Sequence, residues 1–280
     1  MPELPEVENV RRGLEQLVVG KTVQAIEIRW SKIISNPDDV FVEGLVGRQI
    51  IGVDRRGKYL LIRFDQNLTV VSHLRMEGKY EVDDQSVPMT KHTHVIWTFT
   101  DGQQLRYLDS RKFGRMLLIE TGQENTVSGL KDLGVEPTPT TFKKTAFYQA
   151  LQKHKKKRLN HCCWIKKIVT GLGNIYVDET LWLSQIHPET PANLLTKAET
   201  DRLHDEIITE LELATNNGGT TVNTFLNAAG HAGAFQDMLH VYGKKGQPCD
   251  RCQTPIEKIK VAQRGTHFCP RCQIKREAVQ

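Results

Sequence analysis

The start of this sequence combines residue types that could do chemistry on a carbonyl carbon. It reads MPELPEVENV, with Pro2 directly behind Met1 and the acids Glu3, Glu6 and Glu8 close after it. If Met1 is removed, Pro2 exposes a secondary amine, a nucleophile that can form an iminium with a carbonyl carbon. The alternative is structural, because proline suits the first turn of a helix and acids there favour the positive end of the helix dipole. On this stretch alone the structural interpretation is favoured.

A second chemical pattern lies near the end of the chain, where CDRC and CPRC form two C-x2-C pairs separated by sixteen residues. This spacing suits a tetrahedral four-thiolate zinc site, and a pair of redox dithiols is the alternative. Four thiolates leave no open coordination position, so we expect one structural Zn²⁺ ion and not a catalytic one. The predicted ligands are Cys249, Cys252, Cys269 and Cys272. Between the pairs we expect a β-hairpin whose turn carries Arg264 and Gly265.

A glycine-rich segment, IVTGLGNIYVDETLW, places Gly171, Gly173 and Asn174 before a helical pattern. Glycines let the backbone approach a ligand closely, and a helix N-terminus offers free N–H groups to an anion. A dinucleotide-binding fold is a poor interpretation, because no strand-helix-strand pattern surrounds the segment. Two interpretations stay open: a phosphate clamp between helices, or a plain turn capped by Asn174.

Composition bounds the class of protein that must position these residues. The 280 residues are enough for two domains, and 39% hydrophobic and 25% charged residues are ordinary globular values. No apolar run approaches a membrane span, and acids stand where a signal peptide needs basic residues, so we expect a cytoplasmic protein. The net charge of +5 is concentrated in the second half, in 153–167 and 244–276. With the predicted zinc module, this favours contact with a nucleic-acid backbone.

The hydrophobic pattern changes along the chain. Helical spacing predicts a first helix that runs to about Gly20, and short β-branched or aromatic segments follow it, with a hairpin signal at Asp101-Gly102. These segments are TVQAIEIRW, YLLIRF, LTVVSHLRM, HVIWTFT and QQLRYLD. They favour an antiparallel sandwich or barrel over 20–120. Beyond a proline-containing linker the pattern is helical, with a capping box from Thr196 to Glu199.

Several motifs occur in one order along the whole chain: PELPEVE, RRGKYL, HLRMEGKY, KHTH, DSRKFG, GLGNIYVDE, GGTTV, VYG and RGTHFCPRCQ. Together they resemble bacterial formamidopyrimidine-DNA glycosylases, base-excision enzymes that remove oxidised purines such as 8-oxoguanine. The resemblance implies an α+β fold: an N-terminal helix with an antiparallel β-sandwich, then a helical domain with a helix-two-turns-helix motif and a zinc hairpin. The domains expected are 2–133 (catalytic), 134–146 (linker), 147–243 (helical) and 244–276 (zinc hairpin).

The resemblance also implies roles for residues that match the family motifs. Pro2 would be the nucleophile that displaces the damaged base and forms a Schiff base, and Glu3 the acid/base group. Lys58, in RRGKYL, would act in β-elimination, and Arg264 in δ-elimination; both would also contact phosphate. Asn174 would hold the phosphate beside the lesion. Glu6 could support the catalytic centre or serve only as an acid at the helix start.

Further residues match the DNA contacts of the family. Met76, Arg111 and Phe113 would fill the gap left by a flipped-out nucleotide, with Arg111 facing the orphaned cytosine. Without the resemblance, Met76 and Phe113 would be taken for strand core residues. His92 and Lys155 would contact DNA. The partner implied is damaged double-stranded DNA, bound by a monomer that needs no small-molecule cofactor.

The sequence departs from the family pattern at two positions and leaves two rival functions. Asn9 stands where the family commonly has Thr, and Ile165 where it commonly has Asp, which puts the packing near Cys162 and Cys163 in doubt.

One rival is the endonuclease VIII type, which favours oxidised pyrimidines and shares the proline, the asparagine turn and the zinc hairpin. The other is a DNA-binding protein that has lost activity, which would be expected to lack Pro2, Glu3 or Lys58.

Overall fold

The computed structural model describes residues 1–153, 167–220, 233–261 and 263–276. Contacts divide the chain into two compact units: Met1–Asp132 with Asn217–Gln236, and Leu133–Asn216 with Asp237–Gln280. The four-part division expected from the sequence stays a prediction, although the described part of 217–236 groups with the first unit and not with the helical segment. In the described part of the chain, no helix is long and apolar enough to cross a membrane.

The first unit opens with helix α1, Leu4–Val18, which ends close to the predicted Gly20. Its apolar residues recur every three or four positions and are all buried: Val7, Val10, Leu14 and Val18. This one-sided pattern packs the helix against the strands and leaves its charged face toward solvent. This unit also contains helix α2, Asp38–Leu45, and short 3₁₀ turns at Ser31–Ile33 and Glu124–Thr126.

Eight antiparallel strands follow α1 in the first unit. They are β1 (Val23–Ile28), β2 (Ile50–Arg56), β3 (Tyr59–Phe64), β4 (Leu68–His73), β5 (Lys79–Asp84), β6 (Thr93–Phe99), β7 (Gln103–Leu108) and β8 (Arg115–Glu120). One sheet has the order β1-β6-β7-β5 and the other β2-β3-β4-β8. The predicted turn at Asp101-Gly102 joins β6 to β7, and Gly102 has the positive φ of 86° that such turns favour.

The two sheets share one apolar core, in which Phe64 of β3 and Trp97 of β6 approach to 5.8 Å between ring centroids. The expected antiparallel β-sandwich is therefore confirmed. Helix α2 and strands β2, β5 and β8 were not predicted. The strands KYEVDD and RMLLIE each have only one fully buried residue, so their apolar signal is weak in the sequence.

The second unit contains α3 (Lys144–Gln152), α4 (Asn174–Leu183), α5 (Lys197–Asn216) and a 3₁₀ turn at Ala192–Leu194. Another 3₁₀ turn, Phe235–Met238, lies where the chain passes from the first unit to the second. The predicted capping box opens α5: the Thr196 N–H donates to Glu199 Oε2 at 2.9 Å, and the Glu199 N–H donates to Thr196 Oγ1 at 3.2 Å.

The unit ends in the expected hairpin, formed by β9 (Glu257–Val261) and β10 (Arg264–Phe268). Arg264 pairs with Val261 and is the first residue of β10. The prediction that Arg264 and Gly265 lie in the turn was therefore wrong: both belong to the strand that follows the turn. The reason is that Gln263, with φ of 68°, already supplies the left-handed backbone that closes a tight turn.

Candidate active site and nucleic-acid interface

The N-terminal segment is buried and hydrogen-bonded at the start of α1. Pro2 and Glu3 are buried, and Glu3 is the N-cap residue of the helix. The Glu3 N–H donates to Glu6 Oε2 at 2.7 Å, and the Glu3 carboxylate accepts the N–H of Glu6, so the two acids form a reciprocal capping box. The structural interpretation of these acids therefore holds, and the same contacts fix the position of Pro2.

Glu6 also makes a contact far along the chain. Its Oε1 accepts the Thr220 N–H at 2.8 Å and the Thr220 hydroxyl at 3.0 Å. Gly219 lies so close that a Cβ there would come within 2.8 Å of Glu6 Oε1. Glu6 therefore does more than favour the helix dipole: it joins the N-terminus to the GGTT segment of the same unit.

Lys58 lies in a two-residue turn between β2 and β3, after Gly57 with φ of 58°. This turn is connected to α1 through Arg55, whose Nε donates to Glu8 Oε2 at 2.9 Å and whose Nη1 donates to the Gly57 carbonyl at 2.9 Å. Burial raises the pKa of Glu8, but hydrogen bonds and charge from Arg55 and Arg11 outweigh it and lower that pKa overall. The ionised Glu8 thus ties the helix that carries Pro2 to the turn that carries Lys58.

Met76 and Phe113 lie outside the strands and are 38% and 48% exposed. The alternative that they are strand core residues is therefore wrong. With Met1 they line one cavity of about 370 Å³, to which Arg75 and Arg115 also contribute. The loop that carries Phe113 also carries Arg111, whose guanidinium lies 4.7 Å from the Phe113 ring centroid.

The sequence did not reveal the residues that shape these loops. Asp109 is 1% exposed, and its carboxylate accepts three backbone N–H groups, from Arg111 at 2.9 Å and from Phe113 and Gly114 at 2.8 Å. The Asp109 N–H in turn donates to the carbonyl of His92 at 3.0 Å. The signal that could have found Asp109 is the DSRKFG motif itself, because aspartate commonly binds backbone N–H groups in turns.

The other predicted contacts lie in the second unit. The N-cap residue of α4 is Gly173, and Asn174 is the first residue of the helix itself, so the interpretation of Asn174 as the cap was wrong. Instead its Oδ1 accepts a hydrogen bond from Arg264 Nη1 at 3.2 Å. A second link was not foreseen: the buried Asp178 accepts the His267 N–H at 2.8 Å. These contacts hold α4 beside β10 and bring together Asn174 and Arg264, the two side chains for which phosphate contacts were predicted.

The four predicted zinc ligands converge in the second unit. Their Sγ atoms all lie within 4.8 Å of one another, with 3.9 Å between Cys249 and Cys272 and 3.4 Å between Cys252 and Cys269. A tetrahedral Zn²⁺ with Zn–S bonds of about 2.3 Å requires sulfur separations of about 3.8 Å, so this donor set fits the ion. Lys155 lies outside the described residues, as do Cys162, Cys163 and Ile165.

Three family models match consecutive parts of the chain. The formamidopyrimidine-DNA glycosylase N-terminal domain matches residues 1–116, its H2TH domain residues 133–226, and the zinc finger found in FPG and IleRS residues 246–274. The last match spans all four cysteines, and the prediction of one structural zinc ion with four cysteine ligands is confirmed.

Relatives match over the full length of the chain. A formamidopyrimidine-DNA glycosylase of Latilactobacillus sakei is 80% identical over 99% of this chain and all of its own, and one of Enterococcus faecalis is 56% identical over 98% and 97%. A Lactococcus lactis Fpg in complex with DNA containing an abasic site has a TM-score of 0.93 and 44% identity, covering 98% of this chain and 100% of that one. The chain belongs to the formamidopyrimidine-DNA glycosylase family.

Proposed function

We propose that this chain excises oxidised purines, such as 8-oxoguanine and formamidopyrimidines, from duplex DNA and then cuts the strand. One observation carries the proposal: Met1 lines the same cavity as Met76 and Phe113. When Met1 is removed, the amine of Pro2 would lie beside side chains that can occupy the gap left by a flipped-out nucleotide. The relatives bear the name of this activity, and one Lactococcus lactis structure contains Fapy-dG DNA.

The first chemical step is nucleophilic substitution at the sugar. The Pro2 nitrogen attacks the anomeric carbon, the bond to the base breaks, and the base leaves with the bonding electrons and takes up a proton. An α-amino group has a reference pKa near 8, so a useful fraction of Pro2 is neutral near pH 7. The C1′–O4′ bond of the sugar then breaks, Glu3, held by its capping contacts, donates a proton to O4′, and a C1′=N⁺ iminium to Pro2 remains.

The resulting iminium is a permanent cation and withdraws electrons from the sugar chain. Loss of a C2′ proton then expels the 3′ phosphate (β-elimination), and a second elimination expels the 5′ phosphate (δ-elimination). Lys58 and Arg264 serve these steps and contact the phosphates. Asn174 and Arg264, which lie 3.2 Å apart, form one phosphate site in the second unit.

The exposed loops of the first unit explain how the lesion is kept out of the stack. Met76 and Phe113 present apolar surface that can replace the lost stacking, and Arg111 can donate to acceptor atoms of the unpaired cytosine. The carbonyl of His92 accepts a hydrogen bond from the Asp109 N–H, which places His92 at the base of the loop that carries Arg111. There His92 contacts the DNA backbone. Lys155 supplies a further phosphate contact.

The proposal is tested by borohydride trapping with a duplex that carries 8-oxoguanine opposite cytosine. Reduction of the iminium should leave a stable covalent complex, whereas an undamaged duplex should give none. The same protein with an N-terminal extension that blocks Pro2 should bind the duplex without being trapped. A matched protein with the extension at the C-terminus serves as the control. Absence of trapping by the control protein, or equal trapping by the blocked one, would overturn the assignment of Pro2.

Oxidised pyrimidines are the second candidate substrate class. A Lactococcus lactis Fpg with 43% identity and a TM-score of 0.92 was solved with an oxidised pyrimidine containing DNA. The Met76, Arg111 and Phe113 set favours purines opposite cytosine. A panel of both lesion classes in one sequence context should therefore show faster excision of 8-oxoguanine than of an oxidised pyrimidine, and the reverse order would favour the endonuclease VIII type.

We further infer that the protein acts as a monomer in the cytoplasm, on nucleoid DNA, with its zinc ion and no small-molecule cofactor. Light scattering should give a mass close to the 31.9 kDa of one chain. Excision by the purified protein should proceed in buffer alone, without an added nucleotide or coenzyme.

A further inference from the structure

The two exposed loops of the first unit follow the same backbone plan. In each, a non-glycine residue in the left-handed region precedes an exposed apolar side chain, and a buried glycine follows: Arg75 (φ 58°), Met76 and Gly78 in one loop, Lys112 (φ 58°), Phe113 and Gly114 in the other. Left-handed backbone at a bulky residue costs about 1 kcal/mol or more and persists only where neighbouring contacts impose it.

Each loop has an internal hydrogen bond that imposes this backbone. In the first, the Arg75 N–H donates to His73 Nδ1 at 2.9 Å, and the Gly78 N–H donates to the Leu74 carbonyl at 3.0 Å. In the second loop, the Asp109 carboxylate accepts the backbone N–H groups of Arg111, Phe113 and Gly114. His73 therefore shapes the loop that carries Met76.

Both loops also rest against one side chain, Tyr107 of β7. A Cβ built on Gly78 would lie 2.2 Å from the Tyr107 hydroxyl oxygen, and a Cβ built on Gly114 would lie 1.7 Å from it. Neither glycine has a positive φ in this structure. At Gly114 the space for a side chain is taken by Tyr107, and at Gly78 it is taken by the Tyr107 hydroxyl and by the Leu74 carbonyl oxygen, which would lie 2.5 Å from the Cβ.

Tyr107 is well placed to act as a fixed support. It is 1% exposed, and its ring packs edge-on against Tyr80 at 5.2 Å between centroids. Tyr80 is itself fixed, because its hydroxyl donates to Ser72 Oγ at 2.8 Å. Burial, followed by the negative charge of Asp109, raises the pKa of Tyr107, so the hydroxyl stays neutral.

We propose that Tyr107 and Asp109 are positioning residues that together support both loops. We propose further that this support sets the opposite-base selectivity of the enzyme. The inference rests on the proposed function. Asp109 fixes the backbone of the loop that carries Arg111 and Phe113, and the Tyr107 hydroxyl fixes its distance from the loop that carries Met76. Hydrogen bonds to a base edge require close placement, so a shifted Arg111 would no longer distinguish cytosine from other bases.

The test uses Asp109→Asn, Gly114→Ala, Tyr107→Phe and the double variant Gly114→Ala/Tyr107→Phe. Asp101→Asn is the control for Asp109, because Asp101 also accepts a turn N–H, from Gln103 at 3.0 Å, at the opposite end of β7. Gly52→Ala is the control for Gly114, because the nearest atoms to its Cβ would be 4.0 Å away. Each protein is assayed for excision opposite cytosine and adenine, for cleavage of a single-stranded abasic oligonucleotide, and for Tm.

Asp109→Asn and Gly114→Ala should lower kcat/KM on the lesion duplex by about tenfold or more and reduce the preference for cytosine over adenine. Cleavage of the single-stranded abasic oligonucleotide should stay within about twofold of the parent, because that substrate has no orphaned base to read. Tyr107→Phe should partly restore the activity of Gly114→Ala. The recovery is partial because the ring carbon Cζ would remain 2.7 Å from the new Cβ.

Equal losses on the duplex and on the single-stranded oligonucleotide would overturn the inference, since they would indicate general damage to the fold. So would an unchanged cytosine preference, or no recovery in the double variant. If Asp109→Asn is unfolded at the assay temperature, the comparison of Gly114→Ala with Gly114→Ala/Tyr107→Phe decides the outcome. Failure of the parent protein to excise any lesion would instead contradict the proposed function, so the two failures are distinguishable.

Discussion

Glu210 of α5 is a carboxyl group in an environment that disfavours its charge. It is 5% exposed, and its Oε1 has no hydrogen-bond partner in the described part of the chain. Burial, then the charges of Glu179 and Glu206, raise its pKa to about 8. Burial also raises the pKa of Glu179, although its carboxylate accepts the N–H groups of three consecutive residues, 240–242, at 2.7 to 2.9 Å. Glu210 is therefore protonated at neutral pH.

This protonation makes the stability of the folded chain depend on pH. The folded Glu210 keeps its proton up to about pH 8, whereas the unfolded one loses it near 4.5, so stability falls as pH rises between these values. The substitution Glu210→Gln removes this loss of stability at high pH, because glutamine does not ionise. The free energy of unfolding of the variant relative to the parent should rise by on the order of 3 kcal/mol from pH 5 to pH 8.

Urea unfolding at the two pH values measures this difference, and Glu212→Gln on the exposed face of the same helix is the control. A difference that stays constant between pH 5 and pH 8 for both variants would show that Glu210 is ionised in the folded protein.

At the level of residues, the sequence predicted sites that are defined by local spacing, and it missed side chains whose role depends on burial in the folded protein. The four cysteines and the Thr196–Glu199 capping box follow from local rules and were confirmed. Glu210, Asp109 and Asp178 carry no such signal, because their environments are made by segments far away in the sequence. The Glu6 contact with Thr220 joins residues 214 positions apart, a distance that no local pattern can report.

Among the elements, α4 packs directly against the zinc-binding segment. The hairpin contributes few apolar residues of its own: the small cluster around Trp182 also contains Val241, Ile256 and two of the cysteines. Arg251 adds a stacked contact 3.8 Å from the Trp182 ring. A metal ion held by four thiolates supplies the stability that this small cluster lacks.

Removing the zinc should therefore release the hairpin and with it Arg264. After chelation, hydrogen exchange should accelerate in Glu257–Val261 and Arg264–Phe268, while the strands of the first unit keep their protection. Affinity for an abasic-site duplex should fall by about tenfold or more, because Arg264 would no longer be held beside Asn174. Restoring Zn²⁺ should recover both properties. Unchanged DNA affinity in chelated protein would exclude Arg264 as a phosphate contact.

The elements that the sequence predicted are those with a strong apolar pattern, such as the one-sided helix α1 and the strands β3 and β6, most of whose residues are buried. The missed strand β2 contains Gly52 and three charged residues in seven, and helix α2 has only eight residues. Their identity depends on the neighbours that they pair or pack with, because intrinsic propensity in such short segments is weak.

For the molecule as a whole, the charge distribution governs how DNA binding responds to salt. The net charge is +5, and the resemblance assigns phosphate contacts to side chains from both units. Each neutralised phosphate releases condensed counterions, so the logarithm of the binding constant should fall linearly with the logarithm of the salt concentration.

Arg264→Ala should reduce the magnitude of this slope by about one, and by similar amounts on damaged and undamaged duplexes. The control is Lys197→Ala, which removes an exposed cation already paired with Asp201 at 2.7 Å. Fluorescence anisotropy at a series of salt concentrations measures both slopes. Equal slopes for the parent and Arg264→Ala would mean that this arginine contacts no phosphate.

The place of Met1 in the cavity with Met76 and Phe113 has a practical consequence. If Pro2 is the nucleophile that we propose, a chain that keeps residues ahead of it would retain its loops, its zinc hairpin and the side chains proposed to contact phosphate, yet would lack the free amine of Pro2. Such a chain would recognise lesions and leave them uncut. A fluorescent label attached through that N-terminal extension would turn the repair enzyme into a reagent that marks oxidised purines along a DNA molecule.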